Sequence, residues 1–143
     1  MIREATIEDV DELVRMSRAF FEANNWPANV NYSEDSIRET IHQLIRSDNA
    51  VIFMEKGGMI AGLVFPFYFT GEMAGQELCW WVDPDKRNST LGLRLLNKLE
   101  EWASGRCKHF SMICLEAIEP EKMKRLYEKR NYRLMEHHYM KEL

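Results

Sequence analysis

An apolar run from Leu78 to Val82 is followed, after a short polar turn, by apolar residues at helical spacing: Leu91, Leu95, Leu96, Leu99, Trp102 and Ala103. Few local structures satisfy such a stretch. The run suits a buried strand, and Pro84, which has no backbone donor for a ladder, ends it at Val82 or Asp83. The repeat beyond it predicts a helix that starts at Asn88 or Ser89, both good N-caps. Between the two, Lys86 and Arg87 add positive charge where the first-turn N–H groups lack partners and the helix macrodipole is positive. A strand, a cationic turn and a helix N-terminus in this order make a receptor for an anion, phosphate or pyrophosphate above all.

Around this unit, strands and helices alternate. Ile2 to Ala5 reads as a first strand. Thr6 with Asp9 forms an acidic version of a capping box for a helix that carries Val10, Leu13, Val14, Ser17, Phe20 and Phe21 on one face and ends near Asn24-Asn25. Trp26 to Tyr32 is a loop, and Ser33 caps a second helix with Ile37, Ile41, Leu44 and Ile45 inward. Ala50 to Glu55, the Gly57-Gly58 turn and Met59 to Thr70 read as a hairpin, with Pro66 predicting a bulge; Gly71 to Gly75 then turns into the strand that ends at Val82. Phe110 to Leu115 is a further strand, a helix surrounds Tyr127, and Tyr132 to Met140 is a last strand. The expectation is one domain over residues 1–143, an α/β (α+β) fold with a mixed, mostly antiparallel sheet of about six strands flanked by about four helices, in the order β-α-α-β-β-β-α-β-α-β.

Val82, Pro84, Arg87, Gly92, Leu95 and Leu96 resemble the acetyl-CoA-binding motif of the GCN5-related N-acetyltransferases, the GNAT superfamily. Thr90 stands where that motif has its first glycine, and offers a hydroxyl donor instead. Leu126, Tyr127 and Tyr132 are similar to the family's closing helix, with Asn131 in place of glycine; asparagine tolerates the left-handed conformation that ends such a helix. The resemblance covers nearly the whole chain. It implies acetyl-CoA as acyl donor, bound by Trp81, Val82, Arg87, Asn88, Ser89, Thr90, Leu91, Gly92, Leu93 and Tyr127, and an acceptor that is an amine-bearing small molecule or a protein amino group.

Acetyl transfer by direct attack needs a neutral amine, a donor for the thioester oxygen and a proton for the departing thiolate. Tyr127 is the candidate acid, a backbone N–H near Trp81 or Val82 the candidate oxygen donor, and Glu77, early on the strand that leads to the anion turn, the candidate base. Trp26 and Tyr32 are candidates for an aromatic wall against the acceptor. His137 and His138 are adjacent on the predicted last strand, so they point to opposite faces. Cys114 has no assigned role.

A formal charge of −4 argues against a general nucleic-acid binder. The apolar stretch Met59 to Phe69, broken by Pro66, is too short to span a bilayer. Cys79, Cys107 and Cys114 lack metal-ligand spacing, so no metal is expected, and the thiols fit a cytoplasmic protein. The ending His138-Tyr139-Met140-Lys141-Glu142-Leu143 resembles acetyltransferase-like proteins of bacterial viruses, which would place the chain in a host cytoplasm. A homodimer is compatible with all of this. Two classes therefore stand: an acetyl-CoA-dependent N-acetyltransferase, or a catalytically inactive domain of the same fold that acts as a protein-interaction or virion-associated module.

Overall fold

Binary patterning decides the layers. In the computed structural model, which describes residues 1–143, strand β2 (Ala50–Glu55) buries Val51 and Phe53 on one face and Ile52 and Met54 on the other. A strand apolar on both sides needs two covers. Helices α1 (Val10–Ala23) and α2 (Glu34–Arg46) cover one face through Val10, Leu13, Val14, Met16 and Ile41. Helix α3 (Leu91–Ser104) covers the other with Leu91, Leu95, Leu96, Leu99 and Trp102. Leu95, Leu96 and Leu99 are fully buried, a contribution of roughly 1.5–3 kcal/mol for each side chain. No helix is long and apolar enough to cross a membrane.

The sheet order is β1-β2-β3-β4-β5, with β1 at Arg3–Glu4, β3 at Gly58–Pro66, β4 at Met73–Val82 and β5 at His109–Ser111. The first four strands are successive antiparallel neighbours; the crossover through α3 makes β5 parallel to β4. Helix α4 (Pro120–Lys129) completes an α+β fold of the expected kind. Local signals hold at several ends. Ser33 accepts the Ser36 N–H at 3.2 Å, and the Asp9 carboxylate accepts the Thr6 N–H at 2.8 Å. Asn131 has φ 68° and closes α4 with bonds from Tyr132 N–H to the Tyr127 carbonyl (3.0 Å) and from Asn131 N–H to the Glu128 carbonyl (3.1 Å), a Schellman ending.

The sheet has five strands rather than about six. Tyr132 to Met140 forms no strand: β5 is too short an edge to hold one, and Leu134 and Met135, adjacent in sequence, are both exposed instead of alternating across a sheet. Strand β3 stops at Pro66 instead of reaching Thr70, so the proline sits at a strand end and needs no bulge. The bulge lies farther along the same pair. Ala61 pairs with Cys79 and Gly62 with Glu77, which leaves Leu78 as the extra residue. This inverts the parity of β4. Met73, before the bulge, packs on the α3 side, as do Trp80 and Val82 after it, while the consecutive Leu78 and Cys79 both pack toward α1 and α2.

Close approach makes Gly75 a sensitive position. A Cβ there would lie 2.5 Å from Phe110 Cδ2 and 3.0 Å from Cys107 Sγ, across the β4–β5 seam where Gly75 pairs with Phe110. Gly75→Ala should therefore destabilise the protein by about 1–3 kcal/mol, seen as a lower urea midpoint at unchanged m-value; an unchanged midpoint would show that the Phe110 ring moves aside freely.

Candidate functional site

Strands β4 and β5 pair at Ala74 with His109, Gly75 with Phe110 and Gln76 with Ser111, and then part. At the parting point Glu77 Oε2 accepts the Ile113 N–H at 3.0 Å, and the Tyr127 hydroxyl donates to the Ile113 carbonyl at 2.8 Å. Side chains thus satisfy both backbone groups of Ile113, which a ladder would otherwise have taken. A groove of about 430 Å³ opens between the separated segments, lined by Glu77, Trp80, Val82, Ile113, Leu126 and Tyr127, and reaching Arg87, Ser89, Gly92 and Leu93 at the head of α3.

That head is built from the cationic turn. Arg87 donates from Nε to the Val82 carbonyl at 2.8 Å, and its guanidinium lies 4.7 Å from the centroid of the Trp81 ring. Lys86 donates to the Lys56 carbonyl at 2.6 Å. The helix begins at Leu91, slightly later than its sequence suggests, because a short 3-10 turn at Pro84–Lys86 intervenes. Ser89 Oγ accepts the Leu91 N–H at 3.2 Å. The N–H groups of Gly92 and Leu93 have no acceptor within the protein. A Cβ on Gly92 would meet Trp80 at 3.6 Å and Val82 at 3.7 Å, ordinary contacts, so packing alone does not demand glycine there.

The strand register sorts the backbone donors. Asp83 N–H bonds to the Gly57 carbonyl at 2.8 Å; in an antiparallel ladder that alternation turns the Trp81 amide toward β3 and those of Trp80 and Val82 toward the open edge. The Val82 amide therefore faces the groove. Trp81 itself is buried against the α1–α2 layer, and its indole N–H donates to Asp83 at 2.9 Å. Leu91 is core; Asn88 and Thr90 are exposed beside the groove, and Thr90 Oγ1 accepts from Arg94 at 3.3 Å.

Glu77 is the buried charged residue of the chain, 4% exposed. Burial pushes its carboxyl up to about 7, against the opposing pull of the Ile113 N–H. Tyr127 is likewise raised, by burial first and by the nearby Glu77 charge second, so its phenol keeps its proton through the neutral range. A carboxyl that titrates near neutrality and a protonated phenol share one groove.

Trp26 and Tyr32 do not reach it. Trp26 stacks on Phe21 with centroids 5.7 Å apart, and Tyr32 tilts against the same ring at 5.5 Å. They cluster at the end of α1, away from the groove lining, because the loop folds its aromatics back onto that helix. Sequence reading also missed contributors to the lining: Trp80 and Leu126, Ile113, whose peptide groups Glu77 and Tyr127 hold, and Lys122, Arg125 and Lys129 of α4. The spacing of the three cations at three and four residues was the available signal.

Residues 13–132 match the model of the acetyltransferase (GNAT) family. No curated protein matches in sequence. Solved structures share the fold. The ribosomal-protein-alanine N-acetyltransferase from Brucella melitensis biovar Abortus 2308 aligns with TM-score 0.71 at 19% identity, covering 100% of this chain and 99% of its own. The aminoglycoside antibiotic 6'-N-acetyltransferase AAC(6')-IG from Acinetobacter haemolyticus gives 0.73 at 18%, with 100% and 99% covered. AAC(6')-Iy, solved with the bisubstrate analog CoA-S-monomethyl-acetylneamine, gives 0.74 at 13%, with 100% and 97% covered.

The raised carboxyl of Glu77 has a sign that stability can read. Between about 4.5 and about 7 the folded state holds a proton that the unfolded state releases, so stability falls as pH rises through that window and is level above it. Glu77→Gln should abolish this slope and stabilise the protein at pH 8 by roughly 1–3 kcal/mol relative to its effect at pH 4. Parallel denaturation profiles for the two proteins across this range would refute a buried, titrating Glu77.

Proposed function

Because the chain belongs to the acetyltransferase (GNAT) family, we propose that it transfers the acetyl group of acetyl-CoA to a primary amine, on a small molecule or a protein. The observation that carries this reading is the coincidence, in one groove, of unpaired amides at a helix N-terminus with a buried carboxyl near 7 and a protonated phenol. Related folds whose names specify ribosomal-protein alanine or aminoglycosides support an amine acceptor of either size.

The residues present fit the donor. The Gly92 and Leu93 amides, with Arg87 beside them, would hold the pyrophosphate, and the bare backbone at Gly92 lets it come close; the Ser89 hydroxyl gives its proton to the Lys86 carbonyl at 2.6 Å and shapes the turn instead. Bound acetyl-CoA would supply an electrophilic thioester and a thiolate leaving group. The Val82 N–H, on the open edge of β4, would hold the acyl oxygen and stabilise charge that develops there. Glu77, whose carboxyl burial raises toward neutrality, would take the proton of the incoming amine, directly or through water. Tyr127 would exchange its Ile113 acceptor for the leaving thiolate and give it the phenolic proton, which water restores as Glu77 releases to water the proton taken from the amine.

Two measurements test this. Isothermal titration with acetyl-CoA should give micromolar binding to the wild type and none to a folded Gly92→Glu variant, whose carboxylate would stand among the phosphate-binding amides; equal affinities would put the pyrophosphate elsewhere. In acetyl transfer to a panel of amines, kcat/KM should rise with pH to a plateau above about 7, and Glu77→Gln should remove that rise and lower the rate on the order of 10²–10⁴-fold. Tyr127→Phe should lower kcat by a comparable factor without weakening donor binding. A full wild-type rate in either variant would take the corresponding residue out of the chemistry.

A further inference from the structure

The cationic turn carries a carboxylate at its entrance. Asp83 follows Val82 and precedes Pro84, whose ring fixes the start of the 3-10 turn. Every polar group of Asp83 is committed. Its N–H donates to the Gly57 carbonyl and its carbonyl accepts the Lys86 N–H, both at 2.8 Å. Its carboxylate accepts the Trp81 indole N–H at 2.9 Å and two bonds from the Arg15 guanidinium, at 2.8 and 3.3 Å. Arg15 belongs to α1 and grips Glu12 with the same guanidinium, at 2.6 and 3.0 Å. Asp83 therefore ties the end of β4 to α1 and to the β2–β3 turn, although it does not line the groove.

Coulomb's law alone makes that carboxylate unfavourable. A negative charge in the same turn as Lys86 and Arg87 weakens the attraction of the turn for any anion. What Asp83 holds in place offsets this. Trp81 is buried, and Asp83 is the acceptor of its indole N–H, a donor that would be costly to leave unpaired. The ring so fixed presents one face to Arg87, whose guanidinium lies 4.7 Å from its centroid. Inside the protein Arg87 donates only from Nε, to the Val82 carbonyl at 2.8 Å, and its two terminal amino groups are left for a ligand in the groove it lines. A stacked guanidinium with one nitrogen already bonded has little freedom to lose when it grips an anion. A line of contacts from Arg15 through Asp83 and Trp81 to Arg87 thus joins α1 to the groove.

We propose that Asp83 is a positioning residue for donor binding: it touches no ligand itself, and through the Trp81 ring it aims the free amino groups of Arg87 at the donor's pyrophosphate; this rests on the acetyl-CoA reading. The sign of its effect separates positioning from charge. Removing Asp83 makes the turn more positive and nevertheless weakens its hold on an anion.

Isothermal titration with acetyl-CoA should give Asp83→Ala an affinity about tenfold below that of the wild type. In steady-state transfer the loss should fall on the donor KM, with kcat held within about twofold. Arg87→Ala should lose at least as much, and the Asp83→Ala, Arg87→Ala double variant should bind no more weakly than Arg87→Ala alone. Asp9→Ala removes the same charge and a cap bond outside the groove lining; it should bind like the wild type, which separates positioning from net charge and from a general loss of stability. If Asp83→Ala does not fold, Arg15→Ala carries the test, since its half-exposed side chain makes the other side of the grip. Its smaller loss should likewise vanish on the Arg87→Ala background, and an unchanged affinity or an additive loss there would overturn the proposal. Unchanged or tighter binding by Asp83→Ala, a loss that adds in full to that of Arg87→Ala, or a fall in kcat at unchanged KM would overturn it too, while leaving acetyl-CoA binding in place. If the wild type does not bind acetyl-CoA, that reading fails first and the positioning role with it.

Discussion

The peptide groups of Ile113 are held from two sides, by the Glu77 carboxylate on the N–H and by the Tyr127 hydroxyl on the carbonyl. Without those bonds, the peptide groups of Ile113 would turn to water or continue the parallel ladder along β4. The ladder would fill the space that is now the groove. The two residues proposed above for the chemistry are therefore also the two side chains bonded to the backbone where the strands part. This double duty accounts for the burial of a carboxyl whose ionisation the surroundings resist: one backbone N–H offsets part of the desolvation cost, and the fold tolerates the rest.

The bulge at Leu78 is what brings these parts onto one face. Strand alternation alone would put Glu77 with Trp81 and set Trp80 and Val82 on the opposite side. The inserted residue shifts the parity, so that Glu77, Trp80 and the open-edge amide of Val82 share the α3 side, while Trp81 is released into the α1–α2 core. Trp81 then serves as a platform for Arg87 and a donor to Asp83, which Arg15 of α1 also grips at 2.8 Å. The strand end and its turn are thereby fixed before any ligand arrives, a preorganised arrangement of the kind that favours binding.

Much of this was legible in the residues. The α3 repeat, the Ser33 cap, the Asn131 ending and the strand-to-helix anion turn all follow from local rules that tertiary packing had no reason to override. What was not legible has a common cause. Bulges carry no residue signature in a strand like Leu78 to Val82, where every position is apolar, and Pro66 drew the expectation to the wrong end of the hairpin. Glu77 looks like any carboxylate near a strand start until the splay of β5 buries it. Trp26 and Tyr32 suit either a cleft or a helix flank, and both pack on the Phe21 ring, outside the lining of the β4–β5 groove. The stretch from Tyr132 to Met140 has strand-forming residues but lacks the edge on which to form a strand.

The seam between β4 and β5 joins three residues of each strand, whereas β3 and β4 pair along nearly their full lengths. Only the two-pair joint of β1 with β2 is shorter, and local opening begins where the fewest bonds must break together. Helix α4 is anchored at its far end to α3, through Arg130 and Glu100 at 2.8 Å, and touches the seam through Tyr127. The far wall of the groove is therefore joined to the rest of the fold by three strand pairs, the two bonds to Ile113 and the ion pair of Arg130 with Glu100. So few bonds make Phe110 and Ser111 open to solvent more readily than the long central ladder of β2 with β3.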